Sequence, residues 1–560
     1  MNGKPCATSH KAQAWSEIDF MAAKCYVKKL QMRIAKAAKE GRYGKVKSLQ
    51  WLLTHSYSAK ALAVKRVTEN QGKRTSGVDH ELWDIPSAKV RAVSKLNRRG
   101  YHPKPLRRIY IPKKNGKMRP LSIPTMTDRA MQTLHKLALE PVAESTADLD
   151  SYGFRPYRCV QDAIEHCFAC LARKTSPEWI LEGDIKGCFD NLDHDWILNN
   201  IPMDKTILRK FLRSGYVEAG KLNPTKAGTP QGGTISPVIC NMALDGLELL
   251  LKKLFKRQWK DGRMYNPKVS LARYADDFII TGESRELLER EVLPLVRNFM
   301  TERGLALSED KTVITHIDDG FDFLGCNIRK YRGKLLTKPS KENVYRFLSK
   351  VRGVIQQHKA STQEELIRVL NPIIRGWVNF QRFNVSAKTF RYVDTQIFQA
   401  LWRWAKRRHH NKGMKWIAKR YFHFVGTRKW TFSAVQKYKD GGKEYFSLEY
   451  AEDTKIARFP RIRTEANPYD QGWQIYFEER ETEKMRLSLK GHRYLIGLFN
   501  RQKGCCAICG DKLTLETGGR CHKYWNHGAS FNLLVHPNCH KELHLNPDFT
   551  NLLQAGSLRQ

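Results

Sequence analysis

The chain has 560 residues, 41% of them hydrophobic, with 98 lysines and arginines against 56 aspartates and glutamates and a formal net charge of +42. That length exceeds a single hydrophobic core, so three or four units are expected. A positive excess spread over almost every segment excludes an ordinary mixed-sign surface and implies a long polyanionic partner. No run is long and apolar enough to span a bilayer and Met1-Asn2-Gly3-Lys4-Pro5-Cys6 is no signal-peptide core, so a cytoplasmic protein without a membrane partner is expected.

In chain order, the spacing of Trp15, Ile18, Phe20, Met21, Cys25, Leu30, Ile34 and Ala38 among many cations predicts basic helices over 14–41. Leu49, Leu52, Leu53, Ala59, Leu62 and Ala63 predict a second helical stretch over 46–67. Residues 107–124 have the signature of two short strands joined by a Lys-Asn-Gly-Lys turn, with basic side chains, Lys113 and Arg119 among them, converging near its tip. Asp128 reads as the cap of a core helix carrying Leu134, Leu137, Ala138 and Val142. In the rigid connector Tyr152-Gly153-Phe154-Arg155-Pro156, Arg155 either meets a phosphate or anchors the turn.

The apolar run Trp179-Ile180-Leu181-Glu182-Gly183-Asp184 then ends on a carboxylate, followed by Phe189-Asp190. A helix from His194 towards Leu212 and a Gly-rich loop over 227–237 lead into an apolar helix over 238–255. Leu271 to Ile280 brackets Asp276 and Asp277 with apolar residues, which predicts strands over 269–274 and 278–281 with the acids at the turn. Their repulsion in such a setting is tolerable where a divalent cation is held, because magnesium takes hard carboxylate oxygens close together. With Asp184 from a neighbouring strand end, three carboxylates can hold two Mg²⁺ ions about 4 Å apart, the arrangement that activates a 3′-hydroxyl and stabilises phosphoryl transfer. Most of the 13 cysteines are isolated in apolar settings, Cys188 and Cys240 among them, and read as small buried hydrophobes.

Taken together, Asp184-Ile185-Lys186-Gly187-Cys188-Phe189-Asp190, Thr229-Pro230-Gln231-Gly232-Gly233 and Tyr274-Ala275-Asp276-Asp277 make the chain resemble, over almost its whole length, the reverse transcriptases encoded within bacterial group II introns. The resemblance implies an α+β right-hand polymerase: fingers and a ferredoxin-like palm with parallel and antiparallel strand neighbours, a helical thumb, and a small C-terminal zinc-binding ββα-like domain. It divides the chain into a basic helical extension (1–75), fingers and palm (76–335), thumb or maturase domain X (336–430), a DNA-binding region (431–490) and a zinc-binding domain like a His-Asn-His endonuclease (491–560). It makes Asp184, Asp276 and Asp277 the catalytic carboxylates, and Lys113 and Arg119 the grip on the nucleotide triphosphate, where cations neutralise charge as pyrophosphate leaves. Phe189 resembles the steric gate against a ribose 2′-hydroxyl. Gln231 would orient template or nucleotide, Tyr274 would pack beside the primer terminus, and Lys311 would meet a phosphate. Glu182 and Asp190 are assigned support roles. Trp377, Phe380, Phe390, Tyr392, Trp402 and Trp404 read as packing aromatics, and Arg403, Lys406, Arg407, Arg408 and His409 as the densest cationic run for RNA.

At the C-terminus, Cys506 and Cys509 form a zinc half-site by their spacing, with Cys539 and His544 as completing ligands. The surroundings resemble a His-Asn-His endonuclease, in which Asn532 would orient the segment, His536 and His540 would lie near a divalent cation, and His522 would be a further ligand. Lys523 stands where that family has a second histidine. Lysine is protonated near neutrality and a poor base, so hydrolysis is expected to be impaired.

The expected function is RNA-directed DNA polymerase and intron maturase, using an RNA template, a DNA primer and deoxynucleoside triphosphates. Its ribonucleoprotein with group II intron RNA would insert into target DNA in a bacterial cytoplasm and nucleoid. Two alternatives are a non-enzymatic splicing cofactor, opposed by the intact carboxylate set, and a retron-type reverse transcriptase outside introns. The second is opposed by the N-terminal extension, the segment around Trp377 and the C-terminal module.

Overall fold

The computed structural model describes residues 14–112, 116, 118–260, 262–437, 443–489, 493–514, 517–526 and 529–540. It divides into two compact units, one of Met1–His316 with Ile462–Gln474 and one of Ile317–Arg461 with Ile475–Gln560.

In the first unit the helices Phe20–Lys39, Tyr43–His55 and Tyr57–Glu69 bury Ile34, Leu53 and Val64 in a core shared with the long helix Met126–Thr146. The stretch expected to be helical over 46–67 is broken at Ser56, whose backbone is extended and whose hydroxyl accepts the Ala59 N–H, capping the third helix. The long helix is likewise capped by Thr125, not Asp128. The Thr125 hydroxyl accepts the Asp128 N–H at 3.2 Å, and the Asp128 carboxylate takes hydroxyl donors from Thr125 and Tyr101, each at 2.7 Å.

The strands of this unit are β1 (Leu106–Pro112), β2 (Met118–Ile123), β3 (Trp179–Asp184), β4 (Tyr216–Glu218), β5 (Lys221–Asn223), β6 (Gln258–Lys260), β7 (Arg263–Tyr265), β8 (Ser270–Tyr274), β9 (Asp277–Gly282) and β10 (Val313–His316). They form sheets of order β2-β1-β4-β5 and β10-β3-β9-β8, with β6 and β7 as a separate pair. Every pairing in the β3-containing sheet is antiparallel. A parallel neighbour reaches its β8 edge only as the isolated bridge of Ser151 to Arg273 among the described residues, and a parallel strand pair occurs in the first sheet, between β1 and β4. Gly183 on β3 is dictated by close packing, because a Cβ there would collide with the ring of Phe278 on β9. The helices expected over 194–212 and 238–255 are each two, His194–Asn200 with Lys205–Leu212 and Ser236–Leu244 with Leu247–Leu254. Gly246, at φ 97, makes the second break. Cys188 and Cys240 are buried as expected, but their thiols lie 3.0 Å apart and are not isolated.

The second unit begins with the meander β11 (Phe321–Phe323), β12 (Cys326–Tyr331) and β13 (Lys334–Pro339). The helices Lys341–Gln357, Gln363–Gln381, Ala387–Arg408 and Met414–Tyr421 follow, then the sheet β14 (Phe422–Val425), β15 (Arg428–Lys437) and β16 (Lys443–Ser447). Phe390, Trp404 and Phe432 share its core, and Trp377 stacks on Phe347 with centroids 4.3 Å apart. Tyr392, expected to pack, is 53% exposed. The helix Arg493–Arg501 leads to the hairpin β17 (Arg520–Asn526) and β18 (Ala529–Val535) over a small separate core. The whole is an α+β fold with mixed sheets, and no helix among the described residues is long and apolar enough to cross a membrane.

Candidate active site and metal cluster

Asp184 at the end of β3 stands directly opposite Asp277 at the start of β9, and the two-residue turn Ala275–Asp276 joins β9 to β8. Three carboxylates therefore meet at one end of the sheet. Ala275 has φ 58, the positive value that tight hairpin turns require. The turn is backed by Gly153, where a Cβ would collide with the Ala275 backbone. Asp184 is fixed from its other side: its carbonyl accepts the Ser308 N–H at 2.8 Å, and Lys311 Nζ donates to its Oδ2 at 2.8 Å.

Burial pushes the Asp277 carboxyl up to about 6, and the negative charges of Asp276 and Asp184 add to the rise. Burial and the Asp184 charge also raise Asp276, against the pull of Arg119 and Lys311. The hydrogen bond to Asp184 draws the Lys311 ammonium upward. Crowded hard oxygens whose ionisation is opposed in this way fit a divalent cation such as magnesium. Lys311, the residue expected to meet a phosphate, pairs with the Asp184 carboxylate.

The Gly-rich loop ties this site to β2. Ser122 N–H donates to the Gln231 carbonyl at 2.7 Å, and a Cβ at Gly232 would lie 2.8 Å from the Ser122 oxygen. At its other end Gly228 N–H donates to the Leu192 carbonyl at 2.7 Å and Thr229 N–H to the Phe189 carbonyl at 2.6 Å. Gln231 Nε2 donates to Asp190 Oδ2 at 2.8 Å, so Asp190 supports the loop. Phe189 is half-buried and meets Phe154 edge-on at 6.3 Å. Tyr274 pairs with Asp277 across the hairpin, and burial raises its phenol. Arg119 is exposed on β2, while Lys113 lies outside the described residues. Glu182 accepts the Thr315 hydroxyl at 2.8 Å. Arg155 anchors its turn: its guanidinium is buried on Glu144 at 2.9 Å and on the carbonyls of Asp148 and Ser151.

Sequence reasoning missed Arg273, whose side chain is fully buried beneath the turn. Its Nη2 lies 2.5 Å from Asp245 and 4.0 Å from Asp148, and its Nη1 is 3.4 Å from Asn241 Oδ1. Asn241 Nδ2 in turn donates to the Gly153 carbonyl at 2.7 Å. The signal was an arginine inside the apolar run Leu271-Ala272-Arg273, because an inward charge demands a buried partner.

The second candidate site gathers Cys506, Cys509, His536 and Cys539, whose donor atoms all lie within 4.8 Å of one another. A tetrahedral zinc ion with bonds of about 2.0–2.3 Å needs donors roughly 3.3–3.8 Å apart, which small side-chain shifts supply. His544, expected as the fourth ligand, lies outside the described residues, and His536 stands in the cluster instead. His536 stands at the entry of the helical turn of residues 537–540 and not within it. Its Nδ1 is 3.3 Å from Cys509 Sγ and its Nε2 is 3.1 Å from the Lys512 carbonyl, a pairing that leaves Nδ1 free of its proton for a metal. At Cys506 burial raises the thiol, but N–H groups of Cys509, Ile508 and His536 outweigh it and the net shift is downward. Gln502 was also missed. Its amide bonds the carbonyls of Cys505 and Leu534 and the Leu534 N–H, clamping the cysteine turn to β18. In that hairpin Asn532 pairs with Lys523 and His522 with Leu533, and the His540 N–H donates to the His536 carbonyl at 2.8 Å.

Residues 111–328 match the model of the reverse transcriptase (RNA-dependent DNA polymerase), 15–96 that of the N-terminal domain of reverse transcriptase, and 344–422 that of the group II intron maturase-specific domain. The chain is 31% identical to Protein YkfC of Escherichia coli (strain K12), across 49% of this chain and 81% of that one. It is 29% identical to Group II intron-encoded protein LtrA of Lactococcus lactis subsp. cremoris, across 57% of this chain and 68% of that one. Among solved structures, apo telomerase from Candida Tropicalis aligns at a TM-score of 0.36 and 15% identity over 58% of this chain and 59% of that one, too distant to inform the fold.

Proposed function

The chain belongs to the family of group II intron-encoded reverse transcriptases and maturases, and from that premise we propose how its residues divide the work. The protein is an RNA-directed DNA polymerase and maturase associated with splicing and mobility of a group II intron. In this reading residues 1–75 are the basic extension, 76–335 the fingers and palm, 336–430 the thumb, 431–490 the DNA-binding region and 491–560 the zinc-binding module.

Asp184, Asp276 and Asp277 would hold magnesium, which when bound acidifies the primer 3′-hydroxyl and neutralises charge developing on the phosphoryl oxygens. Lys113 and Arg119 bind the triphosphate and stabilise the charge that departs with pyrophosphate. Lys311 holds the Asp184 carboxylate in place through its hydrogen bond to Oδ2. Asp190 holds the Gln231 amide in one orientation, so Gln231 can position template or nucleotide. Phe189 fills the space a ribose 2′-hydroxyl would take, and Tyr274 backs the primer terminus. The substrates are therefore an RNA template, a DNA primer and deoxynucleoside triphosphates, and the basic surfaces bind intron RNA and target DNA.

In the C-terminal module zinc on Cys506, Cys509, His536 and Cys539 serves structure. Hydrolysis through His522, Asn532 and His540 with a second divalent cation is impaired, since Lys523 replaces the base and His536 is engaged by the cysteines.

The observation that carries the polymerase reading is the register of Asp184 against Asp277 with Asp276 in the adjoining turn, a convergence that RNA binding alone does not need. Purified protein is expected to extend a DNA primer on an RNA template. Asp276→Ala should cut extension roughly a thousandfold or more while RNA binding persists. Normal synthesis by both Asp184→Ala and Asp276→Ala would overturn the assignment.

A further inference from the structure

Two helices of the second unit, Lys341–Gln357 and Ala387–Arg408, flank an open recess that the polymerase and zinc sites leave unused. Its cavity measures about 410 Å³ and includes Val344 and Leu348 as apolar lining. Tyr345 and Tyr392 line it as well, yet remain 67% and 53% exposed, so their rings are not used up by the core. Lys341, Lys388 and Arg352 supply its cations. Arg352 also lines a second, smaller cavity of about 110 Å³, where Arg403 and Arg407 continue the positive lining along the same helix pair. Among the described residues, none that lines either cavity is acidic. Gln396 accepts from Arg352 Nη2 at 2.8 Å, which holds the guanidinium at the junction without neutralising it.

We propose that this recess captures a single unpaired nucleotide of a bound nucleic acid, its base against Tyr345 and Tyr392 and its flanking phosphates on Lys341, Lys388 and Arg352. The proposal deepens the reading of this unit as an RNA-holding domain and rests on it. Three physical features select that ligand. Cations without a carboxylate fit phosphate, exposed phenol rings fit the face of any base, and a volume at the lower end of the roughly 300–1,000 Å³ of small-ligand pockets fits one nucleotide and not a duplex. Bases within a duplex are stacked on one another, so a base extruded from a bulge or loop is the one whose face is free to lie on these exposed rings. Arg352, shared by both cavities, then receives the phosphate leading towards Arg403 and Arg407.

The test uses the full chain and a 20-base-pair RNA duplex with or without one bulged 2-aminopurine, together with the same pair in DNA. Wild-type protein is expected to quench the bulged base and to bind the bulged duplex about tenfold more tightly than the perfect one, the scale of one base–aromatic stack. Tyr392→Ala and Tyr345→Ala should each remove most of that preference without changing affinity for the perfect duplex. Tyr392→Phe, which keeps the ring, should retain it and exclude misfolding as the cause. Lys388→Gln should weaken both duplexes and lower the salt dependence of binding. A larger preference with the RNA bulge assigns the nucleotide to intron RNA, and one with the DNA bulge to a DNA strand. Equal binding of bulged and perfect duplexes by wild type, or equal losses on both in the tyrosine variants, would overturn the pocket. Failure of wild type to bind any RNA would instead overturn the RNA-holding reading beneath it.

Discussion

The β8–β9 hairpin rests on Leu271, Phe278 and Ile280, which belong to the large core of the first unit, whereas β17–β18 rests on a small cluster around Phe499, Leu513 and Leu534. Each has candidate metal ligands beside it, Asp184, Asp276 and Asp277 at one end of the β3–β9–β8 sheet and Cys506, Cys509, His536 and Cys539 flanking β17–β18 in the chain. At β8–β9 the core forces Asp184, Asp276 and Asp277 together, and a cation would relieve a repulsion the fold has already overcome. At β17–β18 the core is small, and an ion on Cys506, Cys509, His536 and Cys539 would add to what holds the chain in place. Ligand geometry alone therefore does not say what a metal does. What decides it is whether the ligands are placed by the core or the core by the ligands.

The largest test of that contrast is removal of zinc. A zinc-selective chelator, or Cys506→Ala, is expected to open the amides of β17 and β18 to rapid hydrogen exchange, because structural zinc contributes about 10 kcal/mol or more. The amides of β3, β8 and β9 should stay protected, and elemental analysis should return about one zinc per chain. Undiminished protection of β17–β18 in zinc-free protein would erase the contrast.

At the other hairpin, removing a ligand should have the opposite sign. The folded Asp277 carboxyl is raised from 3.8 to about 6, so between those values the folded state binds more protons than the unfolded one. Stability therefore falls as pH rises through that window, and the full penalty is present at neutral pH. Asp277→Asn is expected to raise Tm in magnesium-free buffer at pH 7.5, with the gain vanishing near pH 4, while primer extension falls roughly a thousandfold. Added magnesium should raise the wild-type Tm towards that of the variant. A lower Tm for Asp277→Asn at pH 7.5 would mean that the carboxylate is not held against its own repulsion.

What the sequence made legible follows the same division. Asp276 and Asp277 could be placed at a turn because local alternation of apolar residues sets strand limits, and β8 and β9 fall within a residue of those read from the pattern. Thr125 displaced Asp128 as a cap because Thr125-Met126-Thr127-Asp128 carries the Thr-x-x-acid spacing of a helix start, which puts the acid at the third helical position and the cap three residues earlier. His536 joined the cysteines because the Gln502 clamp, a contact between distant segments, brings the end of β18 to the cysteine turn, while His544 lies outside the described residues. Tyr392 lies on a helix whose existence periodicity revealed, but which face that helix buries depends on its neighbours. The partners of Arg273, Asp148 and Asp245, lie on other elements, so only its oddity within a strand was visible.

Arg273 yields the smallest effect and the sharpest question about how the core places the carboxylates. Its guanidinium fork reaches Asp245 and Asn241 together, and Asn241 holds the carbonyl of Gly153, whose Cα backs the Ala275–Asp276 turn. Truncation to alanine would leave Asp245 buried without its cation and cost roughly 3–5 kcal/mol, too much for a clean test of position. Arg273→Lys keeps the charge but not the fork, so the salt bridge can survive while the link through Asn241 is lost. A slight displacement of Asp276 and Asp277 should then lower kcat about tenfold, with KM for the nucleotide little changed because Arg119 lies on β2, outside the affected chain of contacts. Titration of active sites separates positioning from mere folding. If the variant turns over at the wild-type rate in a smaller active fraction, Arg273 only supports the fold; if every site is active and slow, the arginine sets where the carboxylates stand.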